Sequence, residues 1–542
     1  MYRRSVAIFG TFVVILGILA LKVASLAIIG GPEISATAQR QQEAVLTVAK
    51  KRGTIYDCNG VALVNNGKSL TAIVEPTFFA DRQALYELLR PVALDISDEE
   101  LLKKVERKSP FTLTVNRRLD EQKGLKIIDT VRRYEGAILA PHILGNVTAD
   151  GLAGLSGIEK AFDELLADGG EMTASVTLDA TGKPLEGLPV SIFSEHYDSK
   201  SGVVLTIDSK IQAIAEQAAR DHFEKGAIVV AEAKTGKLRA VVSQPGFVLQ
   251  KMSYYLSSDN GELLNRAFEN YNVGSIFKLV VTAAYSEKEG KPYDKSVFCD
   301  GGITVGGRRF ACHYANGHGW SDLTRGFTKS CNPFFIKMAQ DTGYNEIIDM
   351  ARRLGLDQKI VFADGLSARA GNLPEKSSGA PPALVANTAI GQGEIMASPA
   401  GLAQLTQVFA NDGYKLPLTL IEGTVDEAGT FTPAEGVRGE QVVRPGTAEL
   451  VRSLMEQTCQ SGTGTTAVPE GSTAGGKTAS AETGWREDGE AVIHGLFTGF
   501  FPAEDPQYVI TVLVENGKSG SVAASPVFRE IAEGILALEG GS

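Results

Sequence analysis

The chain has 542 residues, of which 22% are charged and 43% hydrophobic, the balance of a globular protein with room for two or three domains. A net charge of −11 with no long basic run gives no footing for nucleic acid, and five cysteines are too few for a disulfide scaffold. Residues 5–30 depart from this average composition. No charge occurs from Ser5 to Leu21, and after Lys22 the apolar run resumes to Ile29, a length that spans a bilayer. Arg3 and Arg4 precede it and the residues just beyond are neutral or acidic. The positive-inside rule therefore predicts residues 1–4 as a cytoplasmic tail, 5–30 as a signal anchor, and the rest outside the membrane. The competing reading is a cleaved signal peptide ending near Ala36-Thr37-Ala38, for which the apolar run is long.

Residues 31–200 are heterogeneous. Residues 70–74 and 111–115 read as strands, residues 97–108 as a charged helix, and nothing there looks catalytic. Past residue 201 the texture changes. Residues 203–207 are strand-like, Asp208 can cap a helix, and Ile211, Ile214 and Ala218 repeat at helical spacing as far as His222. Residues 227–231 and 238–242 predict a hairpin about Lys234-Thr235-Gly236-Lys237. Residues 493–501 and 508–515 predict another pair, and 528–538 a closing helix. Strands at both ends with helices between them imply an α+β domain, 201–542, built on one antiparallel sheet with helices on its faces.

Chemistry concentrates in Ser275-Ile276-Phe277-Lys278. Ser275 is the only serine with lysine three residues on, and i, i+3 positions share a helix face, which brings the hydroxyl and the amine within hydrogen-bond reach. Gly274 admits a tight turn, and residues 279–285 continue as an apolar helix. Lys278 is thus placed beside a buried segment, where desolvation lowers its pKa and lets it act as a base. The blander reading makes Ser275 the N-cap of a surface helix. Two further pieces follow in order, Ser330-Cys331-Asn332 and Lys477-Thr478. Lys234-Thr235-Gly236 and Ser258-Asp259-Asn260 imitate such pieces but precede the nucleophile, and they read as turn and loop. Cys299 and Cys312 flank a hairpin marked by Gly301-Gly302 and Gly306-Gly307. Three states stay open for them: a disulfide, a metal site completed by His313 and His318, or unlinked thiols.

The ordered set S-x-x-K, S-x-N and K-T-x resembles the signature of penicillin-binding proteins and serine β-lactamases. Arg52-Gly53-Thr54-Ile55-Tyr56-Asp57, Gly154-Leu155-Ser156-Gly157-Ile158-Glu159, Asn265-Arg266-Ala267, the Pro333-Phe334-Phe335 that follows Asn332, and Gly391-Gln392-Gly393 extend the resemblance to the class B penicillin-binding proteins, membrane-anchored D,D-transpeptidases. The resemblance implies a pedestal over 31–200 and a penicillin-binding transpeptidase domain with a helical subdomain over 201–542. It also implies roles. Ser275 attacks the penultimate D-alanine carbonyl of a peptidoglycan stem peptide, or a β-lactam, and Lys278 takes its proton. Ser330 relays a proton to the leaving D-alanine and Asn332 binds the substrate amide. Lys477 and Thr478 hold the terminal carboxylate on the strand that continues through Ala479 and Ser480. The backbone N–H groups of Ser275 and Ser480 form the oxyanion hole. No cofactor or catalytic metal is called for, and the implied partner is a polytopic membrane glycosyltransferase.

Ala479 stands where the family has glycine, adding a methyl where substrate is expected near the backbone. Val273 and Cys58 replace a frequent proline and arginine. The rival functions are a β-lactam hydrolase or D,D-carboxypeptidase, a β-lactam sensor, and a non-catalytic cell-wall scaffold. A pedestal of about 170 residues argues against the free-standing hydrolase, and four residues before the apolar segment leave a sensor no cytoplasmic machinery.

Overall fold

The computed structural model describes residues 2–25, 43–148, 150–179, 183–185, 188–487 and 489–540. Tyr2–Ala24 is one helix of 23 residues with no buried side chain, long and apolar enough to cross a membrane. Residues 26–30 of the expected anchor and the 36–38 cleavage-like site lie outside the described residues.

The chain divides into two compact units. The first comprises 1–51, 67–132 and 169–198, and the second 52–66, 133–168 and 199–542. In the first, strand Gly67–Val74 lies between Phe111–Val115 and Leu125–Arg132, antiparallel to both. Alternate residues of these strands, among them Ala72, Leu113 and Ile127, are buried with Leu85, Leu89, Leu101 and Val105 of helices Arg82–Leu89 and Asp98–Glu106. Both helices start on side-chain caps, Asp81 and Ser97, each accepting from backbone N–H groups of the first turn. A separate antiparallel sheet joins Glu43–Lys50, Glu171–Thr177 and Ser191–Glu195.

The second unit is the expected α+β domain. Its sheet uses β1 (Gly226–Glu232), β2 (Leu238–Gln244), β3 (Gly475–Glu487), β4 (Glu490–Phe501) and β5 (Tyr508–Val514), in the order β2-β1-β5-β4-β3, antiparallel throughout. β5 reads Tyr-Val-Ile-Thr-Val-Leu-Val because both faces are covered. On one side Val230, Ile510, Val512, Phe497 and Phe501 pack with α1 (Ser209–His222) and, at the C-terminus, helix Ser525–Gly540. On the other, Val229, Val509, Leu513, Leu496 and Phe500 join the large core that includes α2 (Lys278–Glu289) and α3 (Asn332–Thr342). The period-2 alternation of the strands separates these two cores. α1 begins at Asp208, whose carboxylate accepts from the N–H groups of Lys210 and Ile211.

Two early segments belong to this unit. Arg52 Nε and Arg133 Nε donate to the fully buried Glu159 carboxylate at 3.3 and 2.5 Å, and the Tyr134 hydroxyl donates at 2.6 Å. Asp57 accepts from the N–H groups of Asn59, Val61 and Ser209 and from the Ser209 hydroxyl. Burial opposes its charge, but these hydrogen bonds win and hold the carboxyl below its usual range. The R-G-x-I-x-D and G-x-S-G-I-E segments are therefore structural locks around the start of α1 and the parallel pair Thr54–Tyr56 and Gly202–Leu205.

Candidate active site

The nucleophile candidate sits where a 3₁₀ turn, Gly274–Phe277, becomes α2. Every residue from Val273 to Ser286 is buried except Ser275, which opens onto a cleft of about 730 Å³. Ser275 is no helix cap: Phe277 holds that position and no side chain closes the helix end. Gly274 has φ +56°, and a Cβ there would stand 3.4 Å from the methyls of Ala479 and Ala481. Glycine supplies the left-handed backbone and lets the turn press against β3.

Lys278 is fully buried beneath the cleft. Its Nζ donates to Ser330 O at 2.7 Å, Ser330 Oγ at 3.0 Å and Asn332 Oδ1 at 2.8 Å. Three protons meet three oxygens. Among the described residues no hydrogen bond joins Ser275 Oγ to Lys278 Nζ, because an ammonium so engaged has no lone pair to accept with. A neutral Lys278 releases one of the three and gains a lone pair able to accept a proton. Asn332 opens α3 and donates through Nδ2 to Ala311 O at 2.9 Å, which turns Oδ1 toward Lys278. Ser330 has φ +52°, a left-handed conformation costing a non-glycine residue about 1–2 kcal/mol.

Lys477 reaches the same hydroxyl from β3. Its Nζ lies 3.0 Å from Ser330 Oγ and 3.0 Å from Thr478 O, and it too is fully buried. Ser330 Oγ thus bridges two lysines. Among the described residues neither has a carboxylate in ion-pair range. Burial pulls Lys278 down to about 8, against a weaker upward pull from Cys312 and Cys331. Burial, then the charge of Lys278, holds Lys477 well below the ordinary lysine range. The pair shares protons through one hydroxyl that can donate to the neutral amine while accepting from the charged one.

β3 is the edge of the sheet, and its alternation decides what faces the cleft. Thr478, Ala479, Ser480 and Glu482 line it, and Ala479 and Ala481 are also buried in the core. Ala479 is buried, and a Cβ built on Gly274 would stand 3.4 Å from its methyl. Thr478 Oγ1 is held 2.6 Å from Thr463 Oγ1. Arg308, Arg309, His313 and Gln392 also line the cleft. Of these Gln392 lay in a segment singled out by sequence and His313 was weighed only as a metal ligand, while the arginines were missed, since an arginine on a hairpin carries no positional signal. Lys234-Thr235-Gly236 is the turn between β1 and β2 with Gly236 at φ +74°, and Ser258-Asp259-Asn260 is loop, as expected.

No disulfide joins any of the five cysteines in this structure. Cys299 and Cys312 do converge with His318, but the fourth member is Cys331 rather than His313, whose Nδ1 lies 4.0 Å from Cys312 Sγ.

Residues 226–533 match the penicillin binding protein transpeptidase domain family, and residues 47–202 the penicillin-binding protein dimerisation domain family. The chain belongs to the class B penicillin-binding proteins. It is similar to the Stage V sporulation protein D of Bacillus subtilis, 28% identical over 92% of this chain and 80% of that one. It is 32% identical to the penicillin-binding protein PbpB of Mycolicibacterium smegmatis over 75% of this chain and 64% of the relative. The peptidoglycan D,D-transpeptidase MrdA of Acinetobacter baumannii is 27% identical over 96% and 86%. Among solved structures, penicillin binding protein 3 of Mycobacterium tuberculosis complexed with aztreonam superposes with a TM-score of 0.65 at 24% identity, covering 92% of this chain and 97% of that one. A chain of a peptidoglycan synthase complex that coordinates polymerisation and cross-linking gives 0.71 at 23% identity, covering 98% of each. These structural likenesses establish the fold.

Proposed function

We propose that this protein is a serine D,D-transpeptidase that cross-links peptidoglycan stem peptides through a Ser275 acyl-enzyme, releasing terminal D-alanine, and that β-lactams acylate the same serine. The observation that carries the reading is Ser275 opening onto the cleft above a buried Lys278–Ser330–Lys477 bridge. Neutral Lys278 takes the Ser275 proton as Oγ attacks the penultimate carbonyl. Ser330, in contact with both lysines, passes a proton to the departing D-alanine amine, and Asn332 holds the substrate amide. Thr478 and the charge shared with Lys477 receive the terminal carboxylate. The N–H groups of Ser275 and Ser480 stabilise the oxyanion, a contribution worth on the order of 10²–10³ in rate per donor. An amine from a neighbouring stem then releases the acyl group.

In this reading residues 1–4 are cytoplasmic, 5–30 anchor the chain as a single pass, 31–200 form the pedestal, and 201–542 act outside the cytoplasmic membrane. The positive-inside pattern and the Tyr2–Ala24 helix support that topology. The likeness to a chain of a complex that joins polymerisation to cross-linking supports a membrane glycosyltransferase as partner. The test supplies the full-length protein with nascent glycan carrying stem pentapeptides. Cross-linked dimers forming together with free D-alanine, and neither with Ser275→Ala, are expected. Free D-alanine without dimers would assign a carboxypeptidase instead.

A further inference from the structure

Apart from His313, the charged side chains that line the Ser275 cleft are Arg308, Arg309 and Glu482. Glu482 stands on β3, and the two arginines stand together on the hairpin of strands Gly302–Val305 and Arg308–Ala311. The sequence builds that hairpin. Gly306 and Gly307 take φ +56° and +80°, the two-residue turn that antiparallel strands favour, and the turn pairs Val305 with Arg308 and Thr304 with Arg309. Asn332 Nδ2 donates to Ala311 O at 2.9 Å, which fastens the arginine strand to the wall that carries Ser330. Phe310 is buried, and the Arg308 guanidinium lies 5.3 Å from its ring centroid. Arg309 packs over Gly302, where a Cβ would stand 3.1 Å from its guanidinium carbon.

The hairpin thus holds both cations in the cleft without neutralising them. Among the described residues Arg308 has no carboxylate in ion-pair range. Arg309 has Asp300 at 3.7 Å, with both side chains more than half exposed, a pair worth little in water. In a chain of net charge −11, two adjacent uncompensated guanidiniums make a local positive field that draws an anion into the cleft.

That anion differs from the terminal carboxylate, which the proposed function already places at Thr478 and Lys477. Arg309 and Arg308 lie two and three residues along the strand from Ala311, about 7 and 10 Å at the rise of a strand, and an extended peptide advances by the same rise per residue. A donor peptide whose amide rests on Asn332 therefore carries the residues ahead of its two D-alanines past the arginines. Resting on that reading, we propose that Arg308 and Arg309 form a carboxylate subsite that selects stem pentapeptides with a free carboxylate on the second or third residue. A guanidinium fork matches a carboxylate with two parallel hydrogen bonds, which an amide in the same place cannot accept in full. Both arginines touch the peptide away from the bond that breaks, so their effect falls on KM rather than kcat.

The experiment gives the full-length protein in detergent four pentapeptide donors ending in two D-alanines, with one fixed amine acceptor. Their carboxylates are free at the second and third residues, free at the second alone, free at the third alone, or amidated at both. Released D-alanine reports kcat and KM. Expected is a preference in kcat/KM on the order of tenfold for a free carboxylate over the doubly amidated donor, carried by KM and shrinking as salt rises. The two donors with a single carboxylate assign it to the second or the third residue. In the double variant Arg308→Gln with Arg309→Gln the preference disappears, and with lysine at both positions part of it returns. Equal kcat/KM for all four donors on wild type, or a preference that survives in the glutamine variant, would overturn the subsite and leave the transpeptidase reading standing. No D-alanine from any donor would overturn both.

Discussion

At the scale of single residues the site turns on how two buried lysines share protons. Lys278 faces Lys477, Ser330, Asn332, Cys312 and Cys331, and burial holds it at about 8 instead of 10.5. Only the neutral amine accepts the Ser275 proton. The acylation rate is therefore expected to rise with pH through about 8 and to fall roughly tenfold per unit below it, read from penicillin acylation rates across a pH series. The same shift bears on stability. The folded state binds fewer protons than the unfolded one between about 8 and 10.5, so this group's contribution to stability rises across that window and its burial penalty is complete below it. Ser330→Ala leaves the two amines without their common hydroxyl and is expected to slow acylation by about 10²–10⁴, in the range of a lost proton relay. The residues that meet at the cleft, Ser275, Lys278, Ser330, Asn332, Lys477 and Thr478, were legible in the sequence, because the proposed chemistry restricts residue type and order. The Ser330 bridge was not, since it depends on strands and helices far apart in the chain. Cys331 was hidden in another way: as the middle residue of S-x-N it was read as filler.

Among elements, β3 does most of the positioning. Its inward face carries Ala479 against the Gly274 turn and its outward face carries Thr478 and Ser480 to the cleft. Ala479→Gly is expected to destabilise the protein by about 0.5–1 kcal/mol in denaturant unfolding. Gly274→Ala forces a side chain into left-handed backbone against β3. It should cost about 1–2 kcal/mol by the same assay and slow acylation by displacing Ser275. The hairpin β1–β2, the pair β4–β5, the capped helix α1 and the helix at the C-terminus were all legible, because apolar runs bounded by Gly, Pro and Asp punctuate them. The direction of the Ala479 methyl required knowing which face of β3 is core, and that follows from its pairing with β4, a contact no local pattern reports.

For the whole molecule, the chain leaves the second unit after residue 66 and re-enters it at 133, with Asn65 N donating to Arg133 O at 2.8 Å where the two ends meet. Sequence patterns found two of the three strands of this excursion, 70–74 and 111–115, but neither Leu125–Arg132 nor the closure, which is a long-range backbone contact. Removing 31–200 outright would delete Arg52, Asp57 and Glu159 with their buried hydrogen bonds. Excising 67–132 behind a short Gly-Ser linker spares them. That variant is expected to retain penicillin acylation yet fail to complement cells depleted of the native protein, and full complementation would refute a pedestal role for the excised segment. The central claim, that Ser275 is an acyl-accepting nucleophile served by Lys278, meets its most direct test in an intact-mass time course of the full-length protein with a penicillin. The account predicts a long-lived adduct of one penicillin mass on wild type and none on Ser275→Ala. An adduct of equal yield on Ser275→Ala, or none on folded wild type, would contradict it.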